Sequence, residues 1–330
     1  MNHRLKSAYW IFAVCVLAPS SLRAFTGTEG ASFLELPVGA RPAGLGSAYS
    51  MLAEDAYAPV WNPAGLAFLD SPQFAAMHMQ YLESSSFEFG SVAIPLGDGR
   101  GIGAAVQFFA PGSITGMDDK GNAIGDISGY YANYTLAMAQ SFGKTFGVGI
   151  SGNLVHGQID GFSGQALAGG AGMLFRPNDQ WRLAATVSNA GQKLSLISQG
   201  DSLPMTYRVG AAYHPRPTWT VALEGDRQID GLESLHSGIE YETPFGFTCR
   251  TGYNTERTRQ LSALAGFSFG FSMLIWKQDL AYTWLPMSDL GSSHLISLVW
   301  HFGRIQKNIE DTKQMQRPPK EEEMDFKLDN

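Results

Sequence analysis

Cysteine is almost missing. Of two in 330 residues, Cys15 sits in the apolar stretch at the start, where its Val16-Leu17-Ala18 context does not suit lipid attachment, and only Cys249 lies beyond it. One thiol forms no internal disulfide and gives no metal cluster. Charge is scarce as well: Asp, Glu, Lys and Arg make up 16% of the chain, against roughly 25% in an average soluble domain. The net charge of −7 is countered by no basic block, which argues against nucleic acid as a partner. After the first twenty residues there is no uninterrupted apolar run of about 18, so no later helical membrane span is expected.

Glycine and aromatic residues are plentiful instead, with 38 Gly and 12% Phe, Trp and Tyr. A chain rich in bends and amphipathic rings but poor in charge points to all-β or membrane structure. A spanning protein without helices must be a closed barrel, because lipid satisfies no open backbone groups. The first residues read as an export signal: His3, Arg4 and Lys6 make a positive start, Ala8 to Pro19 is mostly apolar, and Leu22-Arg23-Ala24 offers a cleavage site before Phe25. A single-helix anchor is the alternative, for which the stretch is short. The expected organisation is a signal peptide over 1–24, an N-terminal plug or periplasmic segment over 25–70, a barrel over 71–303 and a charged tail over 304–330. That tail holds Glu310, Asp311, Glu321, Glu322, Glu323, Asp325 and Asp329 with Pro318-Pro319, a solvated composition.

From Gln73 onward one theme repeats: eight to thirteen residues of alternating apolar and small or polar character, then Gly, Pro, Asn or Asp. In Phe146–His156 one parity carries Phe146, Val148, Ile150 and Leu154, the other Gly147, Gly149, Ser151 and Asn153. Period two places those sets on opposite faces of a strand. Fourteen segments are counted: 73–81, 87–95, 101–109, 130–142, 146–158, 166–177, 181–189, 206–214, 218–226, 235–243, 246–254, 260–269, 272–284 and 294–302. Connections after even-numbered segments are short, such as Gly143–Thr145, while Ala110–Gly129 and Ala190–Met205 are long. Short turns on one side and long loops on the other are the asymmetry of an outer-membrane barrel, and an even count places both barrel ends on the periplasmic side. A soluble sandwich or propeller would carry more charge on its outward parity, which here is Trp, Tyr, Phe, Leu and Val. The fold expected is therefore all-β: a 14-stranded antiparallel transmembrane barrel in the bacterial outer membrane, with outer-membrane lipid as its surroundings.

If the apolar parity faces lipid, the opposite parity collects Arg182, Arg208, Glu224, Asp226, Glu240, Glu242, Arg250, Lys277 and Asp279 in the lumen. Neighbouring strands would bring Arg208 near Glu224 or Asp226, and Arg250 near Glu240 or Glu242. Such pairs fill and stabilise the lumen, or alternatively set selectivity along a path. Fourteen strands leave more lumen than side chains alone fill. The segment before the first strand, with helix-compatible pieces such as Ser47–Asp55, is the candidate plug, expected at the periplasmic mouth.

Within it, Phe33–Phe68 reads FLELPVGARPAGLGSAYSMLAEDAYAPVWNPAGLAF. Gly39, Gly44 and Gly46 permit tight turns and close approach to a wall. Arg41 and Asp55 could pair inside the lumen, where a lone charge is costly. Asn62-Pro63 is a turn initiator that disfavours helix at Asn62. The string resembles the N-terminal signature of the PorV/PorQ family of FadL-like outer-membrane barrels, through Val38-Gly39-Ala40-Arg41, Gly44 and Gly46 before Ala48, Ala53-Glu54-Asp55-Ala56, and Trp61-Asn62-Pro63-Ala64-Gly65-Leu66. Pro42, Leu45, Met51 and Pro59 depart from it. The resemblance implies a role in type IX secretion, binding exported cargo proteins and handing them on for surface attachment together with other secretion components. FadL-like relatives instead imply uptake of long-chain fatty acids or other hydrophobic small molecules, through a lateral opening and past an N-terminal plug.

No enzyme or cofactor is expected. Asp118-Asp119-Lys120-Gly121-Asn122 lacks the spacing of a calcium loop, and Gly101-Ile102-Gly103 opens no helix that would hold a dinucleotide. His78, His156, His214, His236, His294 and His301 are spread over five strands without metal-ligand spacing, and no motif accompanies a hydrolase at the barrel rim. A transporter should show an apolar path from the long loops to a break in the wall. A cargo binder should have a blocked lumen and a binding surface among those loops.

Overall fold

A computed structural model describes residues 30–303 apart from 83, 113, 118, 197–199, 230 and 277. The expected signal peptide, the charged tail, Asp118 and Lys277 therefore lie outside the described residues. Fourteen strands form one closed antiparallel barrel. They are β1 Gln73–Gln80, β2 Ser86–Gly97, β3 Arg100–Ala110, β4 Gly129–Phe142, β5 Phe146–Ile159, β6 Phe162–Phe175, β7 Trp181–Gly191, β8 Thr206–Arg216, β9 Trp219–Gln228, β10 Glu233–Glu242, β11 Phe247–Asn254, β12 Phe267–Ile275, β13 Gln278–Pro286 and β14 Ser292–His301. Each pairs with its neighbours in the chain, and β1 closes on β14 from Gln73 opposite His301 to Gln80 opposite His294. Closure leaves no edge strand with unpaired backbone groups. Two small hairpins, Ile114–Met117 with Ala123–Ile127 and Leu194–Ser195 with Gly200–Asp201, sit in the long loops.

Two strands start later than their alternation predicts. The segments expected at 260–269 and 272–284 are β12 and β13, beginning at Phe267 and Gln278. Before them the Asn254 side chain accepts from the backbone N–H groups of Glu256 (2.8 Å) and Arg257 (3.4 Å), capping a helix over Thr255–Gln260. A capped helix start ends the strand. The apolar residues Leu261 and Leu264 that extended the pattern belong to the loop beyond that helix; the true alternation runs through Phe267, Phe269 and Phe271, all facing outward.

The outward parity is a continuous apolar surface. Leu136 is 72% exposed, Ile150 58% and Phe271 55%, on an area far beyond the patch of a few hundred Å² that a soluble monomer tolerates. Ring pairs gird the end with short turns: Trp181 with Tyr213 (4.7 Å between centroids), Trp219 with Tyr241 (4.6 Å) and Trp300 with Phe302 (5.7 Å). Phe108 with Tyr130 (5.4 Å) and Phe269 with Trp284 (5.9 Å) stand toward the opposite end. An apolar band between aromatic girdles is the exterior of an outer-membrane barrel. The inward parity is small and polar, with Ser91, Gln107, Asn133, Thr186, Ser272 and Ser297 all buried, because something fills the lumen behind them.

Candidate functional site

The filling is the N-terminal segment, and it does not stay at the periplasmic mouth. Gly30 donates to Ser202 O (3.0 Å) in a long loop at the far end. Phe33 stacks there on Tyr131 (5.6 Å) and Phe109 (6.3 Å). The chain then descends through helix α1, Ala40–Gly44, at mid-lumen. Thr283 Oγ1 donates to Ala40 O (2.6 Å) and Ser268 Oγ to Gly44 O (3.1 Å). Helix α2, Ala58–Trp61, and a 3-10 turn, Pro63–Phe68, finish at the short-turn end, where Phe68 lies under the Arg176 guanidinium (4.4 Å). A lumen too wide for wall side chains is filled along its whole height.

The helix expected over Ser47–Asp55 is absent; that stretch is a run of turns. Gly46 has φ +65° and Ser47 φ +72°, left-handed conformations that stop a helix. Tyr49, Ser50, Met51 and Ala53 are all fully buried, so contact on every side replaces one amphipathic face. A Cβ on Gly46 would lie 2.6 Å from Tyr253 N, and one on Gly65 only 1.6 Å from Ala53 O. A Cβ on Gly39 would lie 2.8 Å from the Tyr57 ring, and one on Gly44 3.1 Å from Thr283 Oγ1. Asn62 is extended (φ −157°, ψ 102°). It caps the 3-10 turn by accepting from Ala64 N (3.1 Å), donates to Ser50 O (2.9 Å) within the plug and ties plug to wall by donating to Met173 O (3.2 Å), with Pro63 in the first turn. Trp61 Nε1 donates to Val38 O (2.9 Å).

Charges clamp this plug. Arg41 forms a fork with Glu240 on β10, Nε to Oε2 and Nη2 to Oε1, both 2.9 Å. Arg250, directly opposite Glu240 in the β10–β11 register, reaches Oε2 at 2.5 Å. The pairing expected between Arg41 and Asp55 is secondary: they stand 3.9 Å apart with the Tyr49 hydroxyl between them, donating to Asp55. The register of a wall strand decides this, since it aims Glu240 at Arg41 with bidentate geometry that Asp55 cannot match. Glu54 faces Arg176 (2.8 Å) and Arg182 (3.3 Å) at the short-turn end. Glu224 accepts from Ser50 N (2.9 Å) and Ser50 Oγ (2.5 Å), with Arg208 at 3.7 Å. Asp226, across from Arg208, contacts His236 Nε2 (2.9 Å), whose Nδ1 donates to Gly46 O (2.9 Å). Asp279 faces inward on β13, and Glu242 stands exposed at the short-turn end of β10. Burial pushes the carboxyls of Asp55 and Glu54 above their ordinary range, against the pull of Arg41 on the first and of Arg176 and Arg182 on the second.

Tyr49 and Ser50 were not singled out from the sequence, and Glu54 and His236 were named there without the partners they meet. Glu54 stands in the quoted string and His236 on an inward parity, but only the folded register shows what each meets.

Cavities border the plug, and a groove runs over the outer wall. At the long-loop mouth a cavity of about 350 Å³ is lined by Phe33, Leu36, Leu82, Leu261, Leu285 and Met287, with Glu256 and Arg257 on one side. Arg257 Nη2 donates to Gly266 O (3.2 Å) while Nη1 has no partner; burial lowers its pKa to about 10 against the opposing charge of Glu256. Below the partition formed by residues 33–38 lies a smaller inner chamber of about 50 Å³, between Trp61 and the inner faces of β3–β5 and β7. Outside the barrel an apolar groove of about 550 Å³ runs over Val92, Ile102, Leu136, Met138, Ile150 and Gly152. Ser151 borders both the chamber and the groove.

The wall is irregular beside the chamber. Along β6 and β7, Ala171 pairs with Val187 but Gly169 with Ala190, so Ser188 and Asn189 bulge opposite Gly170. Asn189 has φ +58°. Gly169, Gly170 and Gly172 on β6 face Gly152, Ser151 and Gly149 on β5, leaving little side chain to thicken the wall there. A bulge breaks ladder bonds and bends the strand.

No family model and no curated protein matches the sequence. Solved structures match over most of the barrel. The toluene transporter TbuX of Ralstonia pickettii superposes with a TM-score of 0.60 at 12% identity, covering 81% of this chain and 98% of TbuX. A FadL homologue of Pseudomonas aeruginosa gives 0.55 at 12%, covering 81% and 99%. The toluene transporter TodX of Pseudomonas putida gives 0.53 at 13%, covering 74% and 92%. The fold is theirs. At such identity the likeness is one of fold alone, a closed FadL-like barrel.

Proposed function

We propose that the protein takes up hydrophobic small molecules across the outer membrane. They would be captured in the mouth cavity and released sideways through the β6–β7 wall once the plug shifts. The mouth cavity carries this reading: a space of about 350 Å³ among the long loops, with Phe33, Leu36, Leu82, Leu285 and Met287 in its lining, in the size range of ordinary small-molecule sites. The register break and the glycine-rich stretch beside the inner chamber supply the second half of the path. The transport fold of the structural neighbours favours this reading over cargo handling in type IX secretion, which rests on the Phe33–Phe68 resemblance.

Two measurements test it. In proteoliposomes, a Gly169→Cys/Ala190→Cys pair in a Cys249→Ser background staples neighbours in register across the break. Uptake of a labelled hydrophobic compound should fall on oxidation and return on reduction. In cells lacking the protein, such uptake should fall while exported proteins still attach to the surface; lost attachment with unchanged uptake would establish the secretion reading instead.

A further inference from the structure

At the long-loop margin of the barrel the outward parity turns polar across four neighbouring strands. On β1, His78 and Gln80 face outward and are exposed. His78 lies opposite Glu88 of β2, and its Nδ1 meets Glu88 Oε1 at 2.6 Å while 56% and 45% of the two side chains stay exposed. Gln80 lies opposite His294 of β14, whose Nδ1 meets the Tyr282 hydroxyl of β13 (2.7 Å) and whose Nε2 meets Ser292 Oγ (3.1 Å). His294 in turn stands opposite Trp284, so Gln80 and His294 share the row of the aromatic girdle at that end. His78 and Glu88 are one step further in: two residues along a strand tilted by about 40° set them about 5 Å deeper in the membrane.

Ionisable side chains turned toward lipid cost stability and mark a site with something polar against it. Among the described residues, Glu88 Oε2, His78 Nε2 and the Gln80 amide have no protein partner. In the outer leaflet the polar matter at this level is the lipid head, and the side chains select among heads. A phosphate would meet the Glu88 carboxylate. A cation would find that carboxylate engaged by His78, with no second carboxylate among the described residues of the stripe. Hydroxyls, by contrast, donate to Glu88 and to the Gln80 carbonyl and accept from the Gln80 amide nitrogen. Rings flank the stripe, Phe108 opposite Glu88 and Trp284 opposite His294, giving apolar surface to the CH face of a sugar. We propose that this stripe binds the uncharged sugar head of an outer-leaflet glycolipid, with Glu88, His78 and Gln80 as its hydrogen-bonding partners. The site is independent of what crosses the barrel.

The test uses the full protein in nanodiscs of phosphatidylcholine with a minority of digalactosyldiacylglycerol, and native mass spectrometry to count the lipids kept on release. The parent protein should keep the glycolipid about tenfold beyond its share of the disc, the worth of one or two hydrogen bonds. His78→Leu/Glu88→Leu, which shows only apolar surface to lipid, should insert and lose the enrichment; Gln80→Leu, which should weaken it, serves if the double variant does not insert. Phosphatidic acid in place of the glycolipid should not be enriched. Glycolipid kept only in proportion to its share, an enrichment that survives the Leu variants, or phosphatidic acid enriched as strongly overturns the proposal. So does an outer-membrane protein that co-purifies with the parent and not with the Leu variant while no glycolipid is enriched, which makes the stripe a protein contact.

Discussion

Consider removing each end of the clamp that holds α1 to the wall. Arg41→Ala deletes two charge-assisted bonds to Glu240, both 2.9 Å, but Glu240 keeps Arg250 at 2.5 Å. With such bonds at about 1.5–3 kcal/mol each, and one partner retained, the loss is about 3 kcal/mol. Glu240→Ala leaves two guanidiniums facing each other. Arg41 retains only the Tyr49 hydroxyl and Asp55 at 3.9 Å, while Arg250 loses its carboxylate. Stripping a buried pair of its partner costs about 3–5 kcal/mol, and the upper end applies when two cations are orphaned together. At 1.4 kcal/mol per tenfold, the released plug should rise by about 100-fold in the first variant and by about 4,000-fold in the second. Conductance in planar bilayers reads the released state directly, since an emptied 14-stranded lumen passes ions. The double variant should be no leakier than Glu240→Ala, because the bonds that Arg41→Ala would break are already gone. Equal conductance for the two single variants, or additive effects in the double, would refute the view that Glu240 is the hub.

Gly65→Ala should prevent the plug from docking, since its Cβ would stand 1.6 Å from Ala53 O; the variant should insert but conduct, as read in the same bilayers. Leu136→Arg and Leu264→Arg alter side chains of equal exposure, 72% each, yet the first faces lipid from β4 and the second sits in a loop. The first should lose about 2–4 kcal/mol and the second about none in a lipid refolding titration. The docked plug binds protons at Asp55 and Glu54 more tightly than a released one, because burial raises both carboxyls. Docking should strengthen as pH falls toward the ordinary carboxylate range and weaken as it rises through the raised values. Melting in detergent between about pH 4 and 8 should follow that direction, and Asp55→Asn should flatten it.

Legibility in the sequence depends on the range over which each signal acts. Alternation in Phe146–His156 is local, a direct consequence of period two, so it exposed the strand, its lipid face and, repeated fourteen times, the barrel. The alternation failed where another local signal competed: Asn254 caps a helix, and the apolar residues behind it imitated a strand up to Phe267. Charges on the inward parity were visible as Arg208, Glu224, Glu240 and Arg250, because facing is set by parity alone. Partners were not. That Arg41 meets Glu240 rather than Asp55, that Ser50 meets Glu224, and that Gly46 lies on His236 all depend on where a plug with no period of its own threads a lumen. The depth it reaches was misjudged for the same reason: turns around Gly46 carry it along the full height instead of capping one mouth. The register break at Gly170 and the inner chamber belong to this second class. Composition and periodicity determined a closed lipid-facing barrel with a separate N-terminal segment. Only the tertiary structure decided what fills the lumen, what clamps it and where the wall is weak, because those contacts join residues tens to hundreds of positions apart.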